Sequence, residues 1–354
     1  MSGKKVLLNN SQPAFSGKRL IFAGLSAGLI LFFLLDLFLG SVHIKPAETI
    51  RALFNGSDEV TRTIIMHFRL PRAVTAVMAG IALSMSGLQM QTLFRNPMAG
   101  PYVLGLSSGA GLGVAFVILG FPSEVSPENI KAAGNWAIAG ASWAGAGMVM
   151  ILIMIISSRV KNIMTLLIIG IMLSSGISAV VSIMQYFSSE TMLKTYVVWT
   201  MGSLGNLTSG QLIVLALSVL AGLLISLLSV KILNALLLGE NYARTLGLNL
   251  KSARIIIITG TSILTGTITA FCGPIAFIGI AVPHLVRIMF GTSDHKVLIP
   301  ATVVTGALIM LASDLISQLP GSDNVLPVNS VTSLIGIPVV MWVIFRNQKT
   351  GDIF

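Results

Sequence analysis

Uncharged apolar runs of helix length alternate along the chain with short segments that carry most of its charged residues. A helix needs about 20 apolar residues to cross the hydrocarbon core of a bilayer. Cutting the overlong runs at Gly and Pro clusters predicts ten crossings, at residues 20–40, 73–94, 102–120, 136–157, 163–187, 211–230, 255–272, 275–290, 297–318 and 328–345. A further short helix is predicted near residues 195–204. The pattern therefore predicts an all-α, polytopic membrane protein.

Two stretches near the apolar runs are interrupted by glycine and proline. Residues 100–105 (G-P-Y-V-L-G) follow the second crossing, and residues 273–279 (G-P-I-A-F-I-G) follow the seventh. Proline removes a backbone donor, so a break inside lipid is tolerated only where protein or a water-filled cavity satisfies the freed groups. The matching places of the two breaks predict two inverted five-helix halves whose broken segments point toward a transport path.

Composition favours a membrane protein over a soluble enzyme. Of 354 residues, 54% are hydrophobic and 10% charged, against roughly 25% charged in a soluble domain, and the mean hydropathy is +0.91. The net charge is +10, but the basic residues are spread out without interleaved aromatic residues, so membrane lipid is an expected partner and nucleic acid is not. The single cysteine, Cys272, and the spacing of the four histidines predict no metal site, and no cofactor is expected.

Charge along the chain predicts the topology. Lys18 and Arg19 precede the first apolar stretch, and no small-x-small cleavage site follows it, which indicates a retained first helix and not a signal peptide. An even number of crossings places both termini on one side. With cytoplasmic termini, fifteen of the 22 Lys and Arg residues lie inside and seven outside. The predicted organisation is a cytoplasmic tail over 1–19, a transmembrane domain over 20–346 with a cytoplasmic loop at 231–254, and a cytoplasmic tail over 347–354.

The run from 273 to 287, G-P-I-A-F-I-G-I-A-V-P-H-L-V-R, resembles a signature of the FecCD-type permeases of bacterial ABC importers for iron-siderophores, haem and vitamin B12. Further stretches resemble the same family in the expected order: R-L-P-R at 69–72, N-P-M-A-G-P-Y-V-L-G at 96–105 and L-G-E-N-Y-A-R-T-L-G at 238–247. The signature residues are Gly273, Pro274, Gly279, Pro283, His284 and Arg287. The last two are three apart and are expected on one helix face, near an aqueous boundary.

The resemblance implies roles for three groups of residues. A short amphipathic helix over 234–247 would insert into a cleft of the ATPase subunit, although its composition also fits a surface helix at the lipid boundary. The implied ATPase-coupling residues are Gly239, Glu240, Ala243, Arg244, Leu246 and Gly247. The implied cytoplasmic gate is Asn96, Pro97 and Met98, which also read as an ordinary Asn-Pro turn.

Arg69 and Arg72 are the implied docking residues for a soluble binding protein, because the planar guanidinium pairs well with carboxylates. The residues alone also fit two arginines at a membrane interface beside a helix-opening proline. A third arginine of the family pattern is replaced by Gln318.

The resemblance thus implies a permease subunit of a binding-protein-dependent importer in the bacterial cytoplasmic (inner) membrane. It would form a homodimer and work with two copies of an ABC ATPase and an extracytoplasmic binding protein, carrying an iron-siderophore complex or else vitamin B12 or haem. The chain has no GxxxxGK[ST] motif, so it is not expected to be an enzyme. The rival class is an ion-coupled secondary transporter, which requires buried ionisable groups, for which Asp36, Asp314 and His284 are the candidates.

Overall fold

The structure is a computed structural model that describes residues 15–40, 42–54, 56, 58–120, 127–160, 162–205, 207–318 and 325–350. All regular elements in these ranges are helical. They are α1 (Phe15–Phe38), α2 (Pro46–Leu53), α3 (Glu59–Thr63), a π-helical segment (Ile64–Arg69), α4 (Leu70–Phe94), α5 (Leu106–Ile118), α6 (Pro127–Arg159), α7 (Ile163–Tyr186), α8 (Glu190–Thr200), α9 (Ser209–Leu228), α10 (Val230–Leu237), α11 (Glu240–Thr245), α12 (Leu250–Cys272), α13 (Ile278–Phe290), α14 (His295–Ser317) and α15 (Val328–Thr350).

Each of the ten predicted crossings corresponds to an apolar helix. Within the described residues, seven helical stretches are long and apolar enough to cross a membrane, and α5, α13 and α15 contribute shorter apolar segments. At 1.5 Å per residue, the 13 residues of α5 and of α13 span about 20 Å, less than the ~30 Å core of a bilayer. Both helices begin later than predicted, because glycine and proline keep the residues before them out of the helix. The predicted all-α polytopic architecture is confirmed.

Several boundaries differ from the prediction. α1 begins at Phe15 and so includes part of the predicted N-terminal tail, whose first fourteen residues lie outside the described residues. α15 continues to Thr350, past the predicted end of the membrane domain. The helix predicted near 195–204 is α8, which starts five residues earlier.

The most buried helices, α4 and α12, lie at the centre of the bundle, while few residues of α1, α7 and α9 are buried. α4 has 25 residues, which gives a length of about 37 Å, so its two termini lie at opposite ends of the bundle. The end of the bundle that carries α10 and α11 is called the arm end below. The opposite end, where α4 begins near Arg72, is called the Arg72 end.

Glycine allows the central helices to touch backbone to backbone. A Cβ atom at Gly87 of α4 would lie 1.7 Å from the carbonyl oxygen of Gly279 in α13, and a Cβ at Gly80 would lie 2.2 Å from that of Gly306 in α14. α5 likewise packs against the backbone of α6 at Gly109 and Gly113. These contacts fix the position of α13, which carries the family-like signature, against α4.

Candidate coupling, gate and docking sites

Residues 230–247, called the arm, form two helices instead of the one predicted over 234–247. Gly239 separates α10 from α11 with φ = 101°, a conformation that only glycine adopts without strain. A Cβ there would also lie 3.3 Å from a guanidinium nitrogen of Arg95. The single-helix prediction was wrong because Gly239 breaks the helix in the middle of the segment. A second glycine, Gly247, has φ = 85° and follows the end of α11.

The coupling residues of the arm divide into internal and exposed ones. Glu240 accepts a hydrogen bond at 2.7 Å from the guanidinium of Arg254 in α12, and Arg254 also donates at 2.9 Å to the carbonyl oxygen of Val160. Ala243 is fully buried, so it packs the arm onto the bundle. Arg244 is exposed, and Leu246 is 61% exposed. Glu240 therefore ties the arm to α12, and Arg244 and Leu246 remain available to a partner.

Three exposed apolar residues follow one another along the arm at intervals of four. Leu238 is 62% exposed, Tyr242 52% and Leu246 61%. Residues four apart on a helix share a face. Tyr242 lies in α11 and Leu246 is its C-cap, while Leu238 lies just before the break at Gly239. The row lies at the arm end, next to the exposed side chain of Arg244. An apolar row beside a cation has the composition of a protein-protein contact.

The candidate gate residues form a tight turn after α4. Arg95 ends the helix in the left-handed region, with φ = 47°. The Asn96 side-chain oxygen then accepts a hydrogen bond from the backbone N–H of Met98 at 2.9 Å, which is the Asx geometry that favours such turns. Met98 is 40% exposed. Residues 95–98 are called the gate turn below.

The structure brings two signature residues to the gate turn and to the last turn of α4. The ring Nε2 of His284 lies 2.7 Å from the carbonyl oxygen of Pro97. The Arg287 guanidinium donates to the side-chain oxygen of Gln91 in α4, and the Gln91 amide nitrogen donates at 3.2 Å to the carbonyl oxygen of Ile280. Both residues lie on one face of α13, as predicted, and that face is turned toward protein. Side chains of α13 therefore hold the gate turn at Pro97 and the last turn of α4 at Gln91.

The other signature residues shape the break between α12 and α13. Gly273 ends α12 with φ = 75°, and Pro274 follows in the non-helical segment. The backbone N–H of Ile275 donates to the hydroxyl of Tyr102 at 3.2 Å, and the backbone N–H of Ala276 donates to the side-chain oxygen of Asn329 at 3.0 Å. The segment is thus satisfied by protein, as a break inside a membrane requires.

Gly279 and Pro283 lie in the first half of α13. Pro283 lies inside this helix and has no N–H to donate to the Gly279 carbonyl four residues earlier. That carbonyl lies against Gly87 of α4. A Cβ at Gly279 would itself lie 2.5 Å from the ring of Pro101, so the two Gly-Pro stretches predicted from the sequence are in contact.

At the Arg72 end, Arg69 has an internal position. It is 7% exposed, and its guanidinium donates at 2.9 Å to the carbonyl oxygens of Leu37 and Phe38 and also to that of Val42. These are carbonyls at and beyond the end of α1, which have no partner within the helix. The docking role expected of Arg69 requires an exposed guanidinium, and the structure instead uses this group to cap α1.

Arg72 pairs with Asp314 of α14. Its Nε and Nη2 atoms donate to the two carboxylate oxygens at 2.9 and 2.8 Å, and the arginine side chain is 19% exposed while the aspartate is fully buried. Gln318, at the place of the family's third arginine, donates at 2.7 Å to Asp36 and at 3.1 Å to Asp314. Asp36 and Asp314 are thus buried near helix ends and bound to neighbouring side chains.

Arg72→Gln is expected to lower the free energy of unfolding by about 3 kcal/mol, because it leaves the buried Asp314 carboxylate without its cation. The double variant Arg72→Gln/Asp314→Asn is expected to recover much of this loss, since it also removes the unpaired charge. Unfolding in detergent micelles measures both effects. Arg62→Gln, which removes an exposed arginine upstream in the same helical stretch, is the control and should change stability by less than about 0.5 kcal/mol. Strictly additive losses in the double variant would contradict the pairing.

Several residues of these sites were not singled out from the sequence. Arg254 of α12, Gln91 of α4 and Tyr102, which lies in the turn before α5, each bind a predicted segment elsewhere in the chain. Asp294 caps α14 by accepting from the backbone N–H of Lys296, and this hydrogen bond lowers the pKa of the Asp294 carboxyl below its usual value. The Asp-His pair before an apolar run is a helix-start signal that could have drawn attention to Asp294. The others carry no such local signal.

The sequence matches the FecCD transport family over residues 28–346. It is 34% identical to the hemin transport system permease protein HmuU of Yersinia pestis over 92% of this chain and 96% of that protein. It is 35% identical to the vitamin B12 import system permease protein BtuC of Klebsiella pneumoniae over 93% and 94%, respectively. A solved structure described as an inward-facing conformation of a putative metal-chelate type ABC transporter matches with a TM-score of 0.77 at 28% identity, covering 93% of this chain and 99% of that one.

Proposed function

Since the chain belongs to the FecCD transport family of ABC importer permeases, we propose that it carries an iron-siderophore complex across the cytoplasmic membrane. Its relatives include permeases named for haem and for vitamin B12, and the similar solved structure is named for metal chelates. All three names refer to bulky metal-containing ligands. A permease for such cargo needs a wide path of weak polarity, and this is consistent with the few ionisable groups inside the crossings.

The observation that carries the proposed mechanism is the exposed surface of the arm. A permease without a nucleotide-binding motif needs contact with an ATPase, and the arm presents the apolar row with Arg244 on a segment that Glu240 fixes to α12. We assign the arm as the contact for an ATP-binding cassette subunit, with two copies serving a permease homodimer. ATP-driven closure of the ATPase pair then moves the two arms, and this movement switches the permease between its outward-open and inward-open states.

Contact between the arm and the ATPase sets the orientation of the permease in the membrane and so places its other partners. The arm end faces the cytoplasm, in agreement with the excess of Lys and Arg on that side, and both termini are cytoplasmic. The Arg72 end then faces an extracytoplasmic binding protein. Arg72 keeps a proposed docking role, because its guanidinium is partly exposed while it pairs with the buried Asp314. Asn96, Pro97 and Met98 are the proposed cytoplasmic gate, held by His284.

The cargo is tested by purifying the binding protein together with the permease and ATPase and recording the absorption spectrum and metal content of its retained ligand. A ferric siderophore is expected to give iron without the strong Soret band of haem. Uptake of the same compound into proteoliposomes should require ATP. A retained haem or corrinoid would overturn the siderophore assignment within the family. Uptake driven by a proton gradient without ATP would support an ion-coupled transporter instead.

A further inference from the structure

A polar bridge that is exposed at its Asp294 end and buried at its His295–Thr92 end joins the arm to the last turn of α4, before the gate turn. It starts at Asn234 of α10, whose amide nitrogen donates at 2.7 Å to Asp294, the N-cap of α14. The amide oxygen of Asn234 accepts from the backbone N–H of His295 at 2.9 Å and lies 2.7 Å from its ring Nδ1. One side chain of the arm is therefore bound by three groups at the start of α14.

The His295 ring continues the bridge to α4. It is fully buried, and its Nε2 lies 2.9 Å from the hydroxyl of Thr92. The Asn234 oxygen can only accept, so the ring Nδ1 carries a hydrogen, and in the neutral ring Nε2 is an acceptor. The single hydrogen of the Thr92 hydroxyl is shared between Nε2 and the carbonyl oxygen of Leu88, each 2.9 Å from the hydroxyl oxygen. The imidazole thus binds the arm on one edge and α4 on the other.

Thr92 lies in the last turn of α4, directly before the gate turn. Its carbonyl oxygen accepts from the N–H of Arg95, and the N–H of Asn96 donates to the carbonyl oxygen of Gln91. A shift of Thr92 therefore moves the backbone from which the gate turn starts. α13 holds the same turn through His284 and Pro97, so the gate turn lies between one link to α13 and one to the arm.

We propose that His295 is a positioning residue that transmits movement of the arm to the gate turn through Asn234 on one side and Thr92 on the other. This inference rests on the proposed contact between the arm and the ATPase. Leu233 and Leu236 of α10 are buried as well, but apolar contact is non-directional and allows sliding. Hydrogen bonds require narrow distances and angles, and a buried one is costly to leave unmade, so these side chains move together.

The test uses variants that cut the bridge at one point. Thr92→Val removes the hydroxyl while nearly keeping the shape, and Thr92→Ser, which retains the hydroxyl, is the matched control. His295→Asn places an amide nitrogen near the position of Nδ1 and is too short to reach Thr92. In proteoliposomes with the ATPase and binding protein, Thr92→Val and His295→Asn are each expected to carry about fivefold fewer cargo molecules per ATP hydrolysed. The double variant should lose no more than either single one, because both cut the same link.

The affinity of the permease for the ATPase subunit separates this role from a merely structural one. It should stay within about twofold of the parent in both variants, whereas Leu246→Glu in the arm should lower it at least about 30-fold. Parental transport per ATP in Thr92→Val would overturn the bridge. So would a loss of ATPase affinity equal to the loss of transport, since the bridge would then only hold the arm. Unchanged ATPase affinity in Leu246→Glu would instead overturn the assignment of the arm.

Discussion

Leu246→Glu is expected to reduce ATP-driven uptake by at least about 30-fold while leaving the permease folded. A central apolar residue of a protein interface typically contributes 2 kcal/mol or more, which corresponds to a factor of this size. The side chain is 61% exposed and contributes little to the fold, so a charge is tolerated in the free permease. In the complex, the same carboxylate would be buried against the ATPase without a partner.

Leu246→Met provides the matched control, because it keeps an apolar side chain of similar volume. It should bind the ATPase and transport at rates close to those of the parent. The measurement is the affinity of the purified permease for the ATPase, followed by uptake into proteoliposomes that contain both. If Leu246→Glu bound and transported as well as Leu246→Met, the arm would not form the ATPase contact.

Gly87→Ala is expected to cost roughly 3 kcal/mol or more of stability and to abolish uptake. The added Cβ would lie 1.7 Å from the carbonyl oxygen of Gly279, and a backbone atom cannot turn aside as a flexible side chain can. α4 and α13 would have to separate, at a cost near or above the upper range for overpacked cores. Because His284 of α13 binds the gate turn and Arg287 binds the last turn of α4 just before it, this separation would also displace the gate.

Gly24→Ala in α1 is the control for the loss of glycine, since a Cβ at that position meets nothing within 4 Å. Alanine favours a helix over glycine, so this variant should be at least as stable as the parent. Unfolding in detergent micelles and uptake measure both variants. A Gly87→Ala protein with parental stability would show that the α4-α13 contact is looser than the structure has it.

The sequence predicted the ten apolar segments because charge and apolar length decide which parts of a chain enter a membrane. It also predicted the breaks at residues 100–105 and 273–279, since glycine and proline affect the local backbone wherever they occur. The contact between these two breaks, at Gly279 and Pro101, depends on the packing of separate helices. No periodicity along one sequence specifies that contact.

The side-chain partners at the candidate sites were less predictable for the same reason. Glu240 pairs with Arg254, fourteen residues later. Arg72 pairs with Asp314 across 242 positions. Arg69 and Arg72 look equivalent in the R-L-P-R motif, yet the three carbonyl contacts of Arg69 arise only when α1 ends beside it. A motif therefore does not indicate whether its residues face a partner or the interior.

The most direct test of the account is the labelling of a Leu246→Cys variant with a membrane-impermeant maleimide. The one natural cysteine, Cys272, is buried, so the new thiol is the exposed one. We expect labelling in inside-out vesicles and not in intact cells, and we expect added ATPase subunit to slow it at least about tenfold, as burial at an interface requires. Labelling in intact cells, or a rate that the ATPase leaves unchanged, would contradict the account of an importer driven through its arm.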